Sequence, residues 1–399
     1  MVFVQEQVVC RSEEFAMREA SQFPRFSSAE MDSRHRRTAA FLRERELDAI
    51  LFFGAGQFAT DIYWLSDWPG GRENYILFQS DAEPVVIGQL FNHIPMARVL
   101  SVISDVRWAG ADTSSTISAL IAERKLSGRK IGLVGTIPYR HYLRFAADHP
   151  DILFEDVSGP FRMMRTIKSS EEISRLKKAS ELTDKSMSAI ATGLRVGMRE
   201  DEIPFLIEPV YLKEGGTAGI HFMTAMPMDE PHFPVPAQFH SGRKLERRDC
   251  LITEISGGYW GVTGQIHRTF SFEEPAQAWK ELHSAAVEGF LAIENVLRDG
   301  ATTADVEEAA EVIHRRGYTI YDDLLHGASQ TPPIIQTRTT KRHHSPEMTF
   351  RENMVVTVQP NVITPDETMG LQFGETLVVT KTGCRRLNDY PREWILCAG

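Results

Sequence analysis

The stretch Leu251-Ile-Thr-Glu-Ile-Ser-Gly-Gly-Tyr-Trp-Gly-Val-Thr-Gly-Gln-Ile-His-Arg-Thr-Phe270 reads as strand, glycine turn, strand. Its first strand is apolar except for Glu254. A carboxylate in an apolar run costs free energy unless it is paired or functional. Glu254 is therefore the first candidate for chemistry. The alternative is a solvent-facing side chain on a half-buried strand, which period-two alternation also allows.

The pattern continues outward on both sides. Ser169-Ser-Glu-Glu172 predicts a helix start, a Ser cap followed by two acids where the helix dipole favours them. Ile173, Leu176, Lys177 and Ser180 follow at helical spacing, to about residue 194. A second helix is predicted over 200–214, ended by Gly215-Gly216, and further helices over 276–298 and 303–316. Residues 354–358 and 376–380 read as strands. The second half is thus α+β, with helices packed on a curved, mostly antiparallel sheet. Upstream, a helix over 34–46 alternates with strand runs at 48–53, 75–78, 83–87 and 130–134, and residues 119–125 look helical. That alternation predicts a smaller α/β domain with a largely parallel or mixed sheet, ending near Gly159. Residues 1–30 read as a loose polar arm.

Composition excludes several classes. Of 399 residues, 42% are hydrophobic and 25% charged, which suits a globular chain and not a disordered or coiled-coil one. The formal net charge of −10 argues against a nucleic-acid partner. No apolar run reaches the ~20 residues that cross a bilayer. The N-terminus lacks the basic and apolar regions of a signal peptide. The 4 cysteines, at positions 10, 250, 384 and 397, form no CxxC pair. The expected location is the cytoplasm, with reduced thiols and no membrane partner.

Six short motifs, in order, resemble the creatinase, aminopeptidase P and prolidase (M24, pita-bread) family. Gly258-Tyr-Trp-Gly261 and Arg268-Thr-Phe270 match its Gly-x-x-Tyr-x-Gly and Ser-Asp-x-Thr-Arg-Thr signature. Met164-Arg-Thr-Ile-Lys-Ser-Ser-Glu-Glu-Ile-Ser-Arg175 resembles its Arg-x-Ile-Lys-Ser-x-x-Glu-Ile stretch, and Gly197-Met-Arg-Glu200 its Gly-Met-x-Glu. Leu325-His-Gly-Ala328, Asn353-Met-Val-Val-Thr-Val-Gln-Pro360 and the segment 370–380 resemble its later ligand motifs. The likeness spans residues 31–387. It implies an N-terminal arm (1–30), a creatinase N-terminal-like α/β domain (31–160) and an α+β pita-bread catalytic domain (161–399).

The resemblance also places five metal-ligand positions, and four of them depart from the family. Glu254 is a longer acid at the first Asp, Gln265 and Gln359 are neutral, and Gly374 has no side chain. His326 alone is retained. Neutral amides are weak ligands for hard cations. The expectation is a protein with no metal and no cofactor, similar to creatinase or ectoine hydrolase, the alternative being a mononuclear site of Glu254, His326 and a third His. Its reaction would be hydrolysis of an amidine, guanidine or amide C–N bond in a small non-peptide metabolite. Glu254 would be base or nucleophile and His326 the acid. A further His, either His232 or His240, would reach the pocket. Gln265, Gln359, Glu375 and Arg268 would bind substrate, with Glu375 paired either to a substrate cation or to Arg268. Trp64, Trp68, Arg72 and Tyr75 would line an entrance shared across a homodimer. The rival readings are a lyase, cyclase or isomerase in the same pocket, an Xaa-Pro peptidase-like protein, or an inactive binding module.

Overall fold

The computed structural model describes residues 21–328, 331–340 and 345–398. The chain divides into two compact units, Met1–Arg162 and Met163–Gly399. Most of the expected N-terminal arm, with Cys10, lies outside the described residues.

The first unit holds a six-stranded mixed sheet. Its strands are β1 (Ala49–Gly54), β2 (Asn74–Phe78), β3 (Val85–Gly88), β4 (Asp105–Trp108), β5 (Lys130–Val134) and β6 (Leu153–Asp156), in the order β4-β3-β2-β1-β5-β6. The β1–β2 and β2–β3 pairs are antiparallel and the others parallel. Ala49 to Phe53 are all buried, as expected of a strand covered on both faces. The helix Ser28–Glu44 starts earlier than the charge pattern alone implies, because the Ser27 hydroxyl caps it by accepting from Glu30 N–H. Asp112 caps Thr113–Glu123 in the same way, moving that helix upstream of the expected 119–125.

The second unit is built on an antiparallel sheet. Its members are β7 (Thr217–Pro227), β8 (Asp249–Tyr259), β9 (Val262–Ser271), β11 (Leu325–Gly327), β12 (Thr331–Ile335), β13 (Val355–Val358) and β16 (Gly374–Val379). They lie side by side in the order β12-β11-β13-β16-β9-β8-β7. A smaller sheet joins β10 (Thr319–Ile320), β14 (Asn361–Ile363) and β15 (Gly370–Gln372). β17 (Cys384–Arg386) and β18 (Ile395–Leu396) pair with β16 and β9.

The opening sequence forms the β8–β9 hairpin, with Tyr259 opposite Val262. Its two-residue turn, Trp260-Gly261, has φ of 40° and 84°, the left-handed pair that a tight hairpin requires. Ser169 and Glu172 form a reciprocal capping box on the helix Ser170–Gly193. That helix lies hard against the hairpin. A Cβ on Gly264 would come within 2.4 Å of the Ser180 backbone, and one on Gly257 within 2.8 Å of Thr183 Oγ1. Thr183 Oγ1 instead accepts from the Gly257 N–H at 3.0 Å.

Two expectations need correction. The helix predicted over 200–214 is a 3-10 turn, Glu200–Glu202, followed by the helix Pro204–Leu212. Pro204 has no N–H and fits a first helical turn, so the helix starts there. Thr217–Pro227 forms an eleven-residue strand in a region that the sequence pattern did not mark.

Candidate active site

Strand alternation brings the candidate residues together. Glu254 on β8 lies directly opposite His267 on β9. Gln265, two residues before His267, shares its face of the sheet. His326 comes from β11, Gln359 directly follows β13, and Gln372 ends β15. Glu254, His326, Gln359 and Gln372 line a cleft of about 410 Å³ whose apolar walls include Phe222, Val235, Pro236 and Ile334. Tyr321, Asp322 and Asp323 lie along the same cleft.

At the floor, the Gln265 amide nitrogen meets three groups. It donates to Glu254 Oε1 at 3.0 Å and to Gln359 Oε1 at 2.9 Å, and lies 3.3 Å from His267 Nε2. Glu254 Oε2 is 3.6 Å from the same His267 nitrogen. Burial alone would push the Glu254 carboxyl up. The His267 hydrogen bond and the His267 and His326 charges outweigh it and hold the group below its ordinary value. His326 is 3% exposed and its Nδ1 donates to the Gly327 carbonyl at 2.8 Å. Its Nε2 faces Gln359 Oε1 at 3.2 Å, and that contact needs a proton on Nε2 or a turned-over Gln359 amide. Gln359 Oε1 also accepts from Gln265 at 2.9 Å, which keeps the Gln359 oxygen in place. Burial pulls His326 down, opposed by the Gly327 carbonyl and by Glu254.

Other sequence candidates stand elsewhere. His232 is exposed beside the Glu230 carbonyl, and His240 bonds the His221 carbonyl at 3.0 Å. Neither lines the cleft. The second imidazole beside Glu254 is His267, which sequence reading did not single out. Its signal was position, two residues from Gln265 and across the hairpin from Glu254. Arg268 and Glu375 point to the opposite side of their strands. Arg268 binds Glu375, as one of the two expectations had it, and Arg386 and Arg392 join the same carboxylate. This knot fixes the sheet and does not line the cleft. Trp64, Trp68 and Tyr75 face inward as part of the first unit's core, at 3%, 5% and 0% exposure. Trp68 Nε1 donates to Asn74 at 3.0 Å, and the Tyr75 hydroxyl meets His141 Nδ1 at 2.6 Å. Aromatic density there reflects packing, and Arg72 alone of the four is exposed.

Residues 174–381 match metallopeptidase family M24, and residues 34–167 match the creatinase/prolidase N-terminal domain. The chain belongs to metallopeptidase family M24. This M24 protein is 23% identical to the Xaa-Pro dipeptidase of Pyrococcus furiosus, over 91% of its own length and 99% of that relative's. Against the Xaa-Pro dipeptidase of Pyrococcus horikoshii the identity is 24%, over 92% and 99%. In fold it is similar to the X-Pro aminopeptidase of Thermotoga maritima, with a TM-score of 0.77 at 23% identity, covering 91% and 99% of the two chains. The prolidase of Thermococcus sibiricus gives 0.80 at 19% identity, covering 93% and 100%. These are N-terminal creatinase-type and C-terminal pita-bread domains in the order the motifs implied.

The functional expectation is corrected by the same finding. The expected hydrolase of an amidine, guanidine or amide bond in a non-peptide metabolite rested on the lost carboxylates and on the likeness to creatinase or ectoine hydrolase. The relatives that align along nine-tenths of this M24 protein are named as Xaa-Pro dipeptidases. No helix among the described residues is long and apolar enough to cross a membrane.

The family description raises the question of metal. Of the five positions, only Glu254 offers a carboxylate and only His326 an imidazole that the family pattern shares. Gln265 turns a donor nitrogen, not an oxygen, toward the centre. Among the described residues, no three His, Cys, Asp or Glu side chains are grouped to hold an ion. This donor set does not fit a dinuclear centre.

Proposed function

We propose that this M24 protein is an Xaa-Pro peptidase-like enzyme that takes short peptides into the cleft floored by Glu254 and His326. The observation that carries the reading is the pairing of apolar walls with a polar floor in a cleft of about 410 Å³. Phe222, Val235, Pro236 and Ile334 suit a pyrrolidine ring. Glu254, held ionised, accepts a proton from the attacking water, and His326 protonates the leaving nitrogen. Gln359 and Gln372 hydrogen-bond the peptide group and orient it.

In this reading the chemistry proceeds without metal, the protein acts in the cytoplasm, and the chain forms a homodimer. Light scattering at twice the chain mass would support the last point, and a monomer would remove it. The activity is tested by following proline release from Xaa-Pro dipeptides by wild type and Glu254→Gln. Turnover that falls about 10²–10⁴-fold in the variant is expected, the usual worth of a general base. No proline release from any dipeptide, or a variant that keeps half of wild-type kcat/KM, overturns the proposal.

A further inference from the structure

We propose that the metal centre of this fold has been replaced by an internal plug, with the Gln265 amide as its donor and the His267 ring filling the space of a side chain at position 374. This concerns the cluster itself and does not depend on which substrate the cleft accepts.

The first half rests on the convergence at Gln265. Its amide cannot be turned over, because an oxygen at that point would face the Glu254 carboxylate oxygen at 3.0 Å with no proton between them. The nitrogen is therefore fixed inward. Its two protons serve Glu254 Oε1 and Gln359 Oε1 at 3.0 and 2.9 Å, and none is left for His267 Nε2, which lies 3.3 Å away. Partial positive charge delivered by N–H groups thus meets the acceptors that would otherwise face an ion. A divalent cation entering here would displace that donor and gain one carboxylate in return, a poor exchange for a hard ion.

The second half rests on Gly374. A Cβ built there would lie 2.6 Å from His267 Nδ1, 2.5 Å from the Val358 carbonyl oxygen and 2.9 Å from Gln359 Cα. The family signature carries Thr where this chain has His267, so a larger ring and a missing side chain face each other. His267 is 0% exposed, and its Nδ1 finds no hydrogen-bond partner among the described residues. An unpaired buried nitrogen is costly, so the ring is held there by the volume it fills. The two substitutions are coupled, because a side chain at 374 would press on the His267 ring.

Two measurements on the full chain test this without any peptide. Wild type and Gln265→Asp/Gln359→Glu are titrated with Mn²⁺ by calorimetry, dialysed and analysed for bound metal. The expected result is well under one ion per wild-type chain and clear uptake by the folded variant. Stoichiometric uptake by wild type overturns the proposal, as does a folded variant that takes up no more than wild type. Separately, Gly374→Ala is melted in wild-type and His267→Thr backgrounds. The expected drop in Tm is roughly half as large once His267 is gone, with the Val358 carbonyl accounting for the remainder. Equal drops in both backgrounds overturn the space exchange. If Gly374→Ala fails to fold in either background, the Mn²⁺ titrations still decide the donor half.

Discussion

Replacing Glu375 with Gln should destabilise the second unit more than any other single isosteric change at the sheet. The carboxylate is 0% exposed and accepts from Arg268, from Arg386 Nε at 2.6 Å and from Arg392 Nη2 at 3.0 Å. Glu375→Gln keeps the shape and leaves three guanidinium groups without their shared counter-charge. Arg386 and Arg392 are 34% and 24% exposed and can turn to water, and Arg392 keeps Glu294. Arg268 is 0% exposed and cannot. It retains the carbonyls of His267, Gly374 and Pro391, but its charge is stranded. Stranding one buried partner of an ion pair costs about 3–5 kcal/mol. The unit spans Met163–Gly399, or 399 − 163 + 1 = 237 residues. At about 2–4 °C per kcal/mol for that size, Tm should fall by roughly 6–20 °C. Melting followed by the fluorescence of Trp279 and Trp394, which pack edge to face at 6.1 Å, reports on this unit. The pH dependence has a definite sign. Burial would raise the Glu375 carboxyl, but Arg268, Arg392 and Arg386 hold it below its ordinary value. A depressed folded value gives stability that is full above the unfolded carboxyl value of about 4.3 and is lost as pH falls through the folded one. The gap between wild type and variant should therefore stay constant from neutral pH to about 5 and close in stronger acid. A drop of less than about 2 °C at neutral pH, where ~1 kcal/mol or less would be at stake, would refute the charge argument.

Two local contacts give sharper rankings. Gly264→Ala drives a methyl into helix backbone that cannot yield, and should cost about 1–3 kcal/mol or more, whereas Gly257→Ala meets first a Thr183 hydroxyl and should cost less. Soluble yield and Tm in the reverse order would refute the close-packing explanation. Ser169→Ala removes the cap on Ser170–Gly193 and should cost about 1 kcal/mol, a Tm shift of about 2–4 °C, with no shift counting against the capping box.

The hairpin, its turn and four of the five floor residues were legible because each sits in a motif with a local mechanism. Glu254 stood out as a carboxylate in an apolar strand, and Gln265, His326 and Gln359 through their places in the family motifs. His267 was missed because a lone His carries little weight until its strand partner is known. The Glu375 knot was half legible. Arg268 was named as a partner, but Arg386 and Arg392 reach the carboxylate only through the tertiary fold. Trp64, Trp68 and Tyr75 were misread because aromatics that build a core and aromatics that line a mouth have the same composition. The strand Thr217–Pro227 escaped because its apolar and polar residues follow no clean period of two. The reaction class was least legible. Loss of carboxylates at a centre constrains what binds there, while the shape of the cleft wall, which selects substrate, is assembled from segments far apart in the chain.

The pairing of β18 with β9 bears on how the protein is made. Ser271 lies opposite Leu396, 396 − 271 = 125 residues later. At ribosomal speeds of about 5–20 residues per second, β9 waits roughly 6–25 s for its edge partner to be synthesised. Arg268 waits similarly for the Pro391 carbonyl, and Glu375 for Arg392. The first unit, whose strands pair within residues 49–156, has all its partners long before that. The buried arginine and apolar hairpin of the second unit thus remain open until residues 391–396 emerge. This interval is when the protein most needs chaperone cover, and slower translation over residues 272–396 would lengthen it.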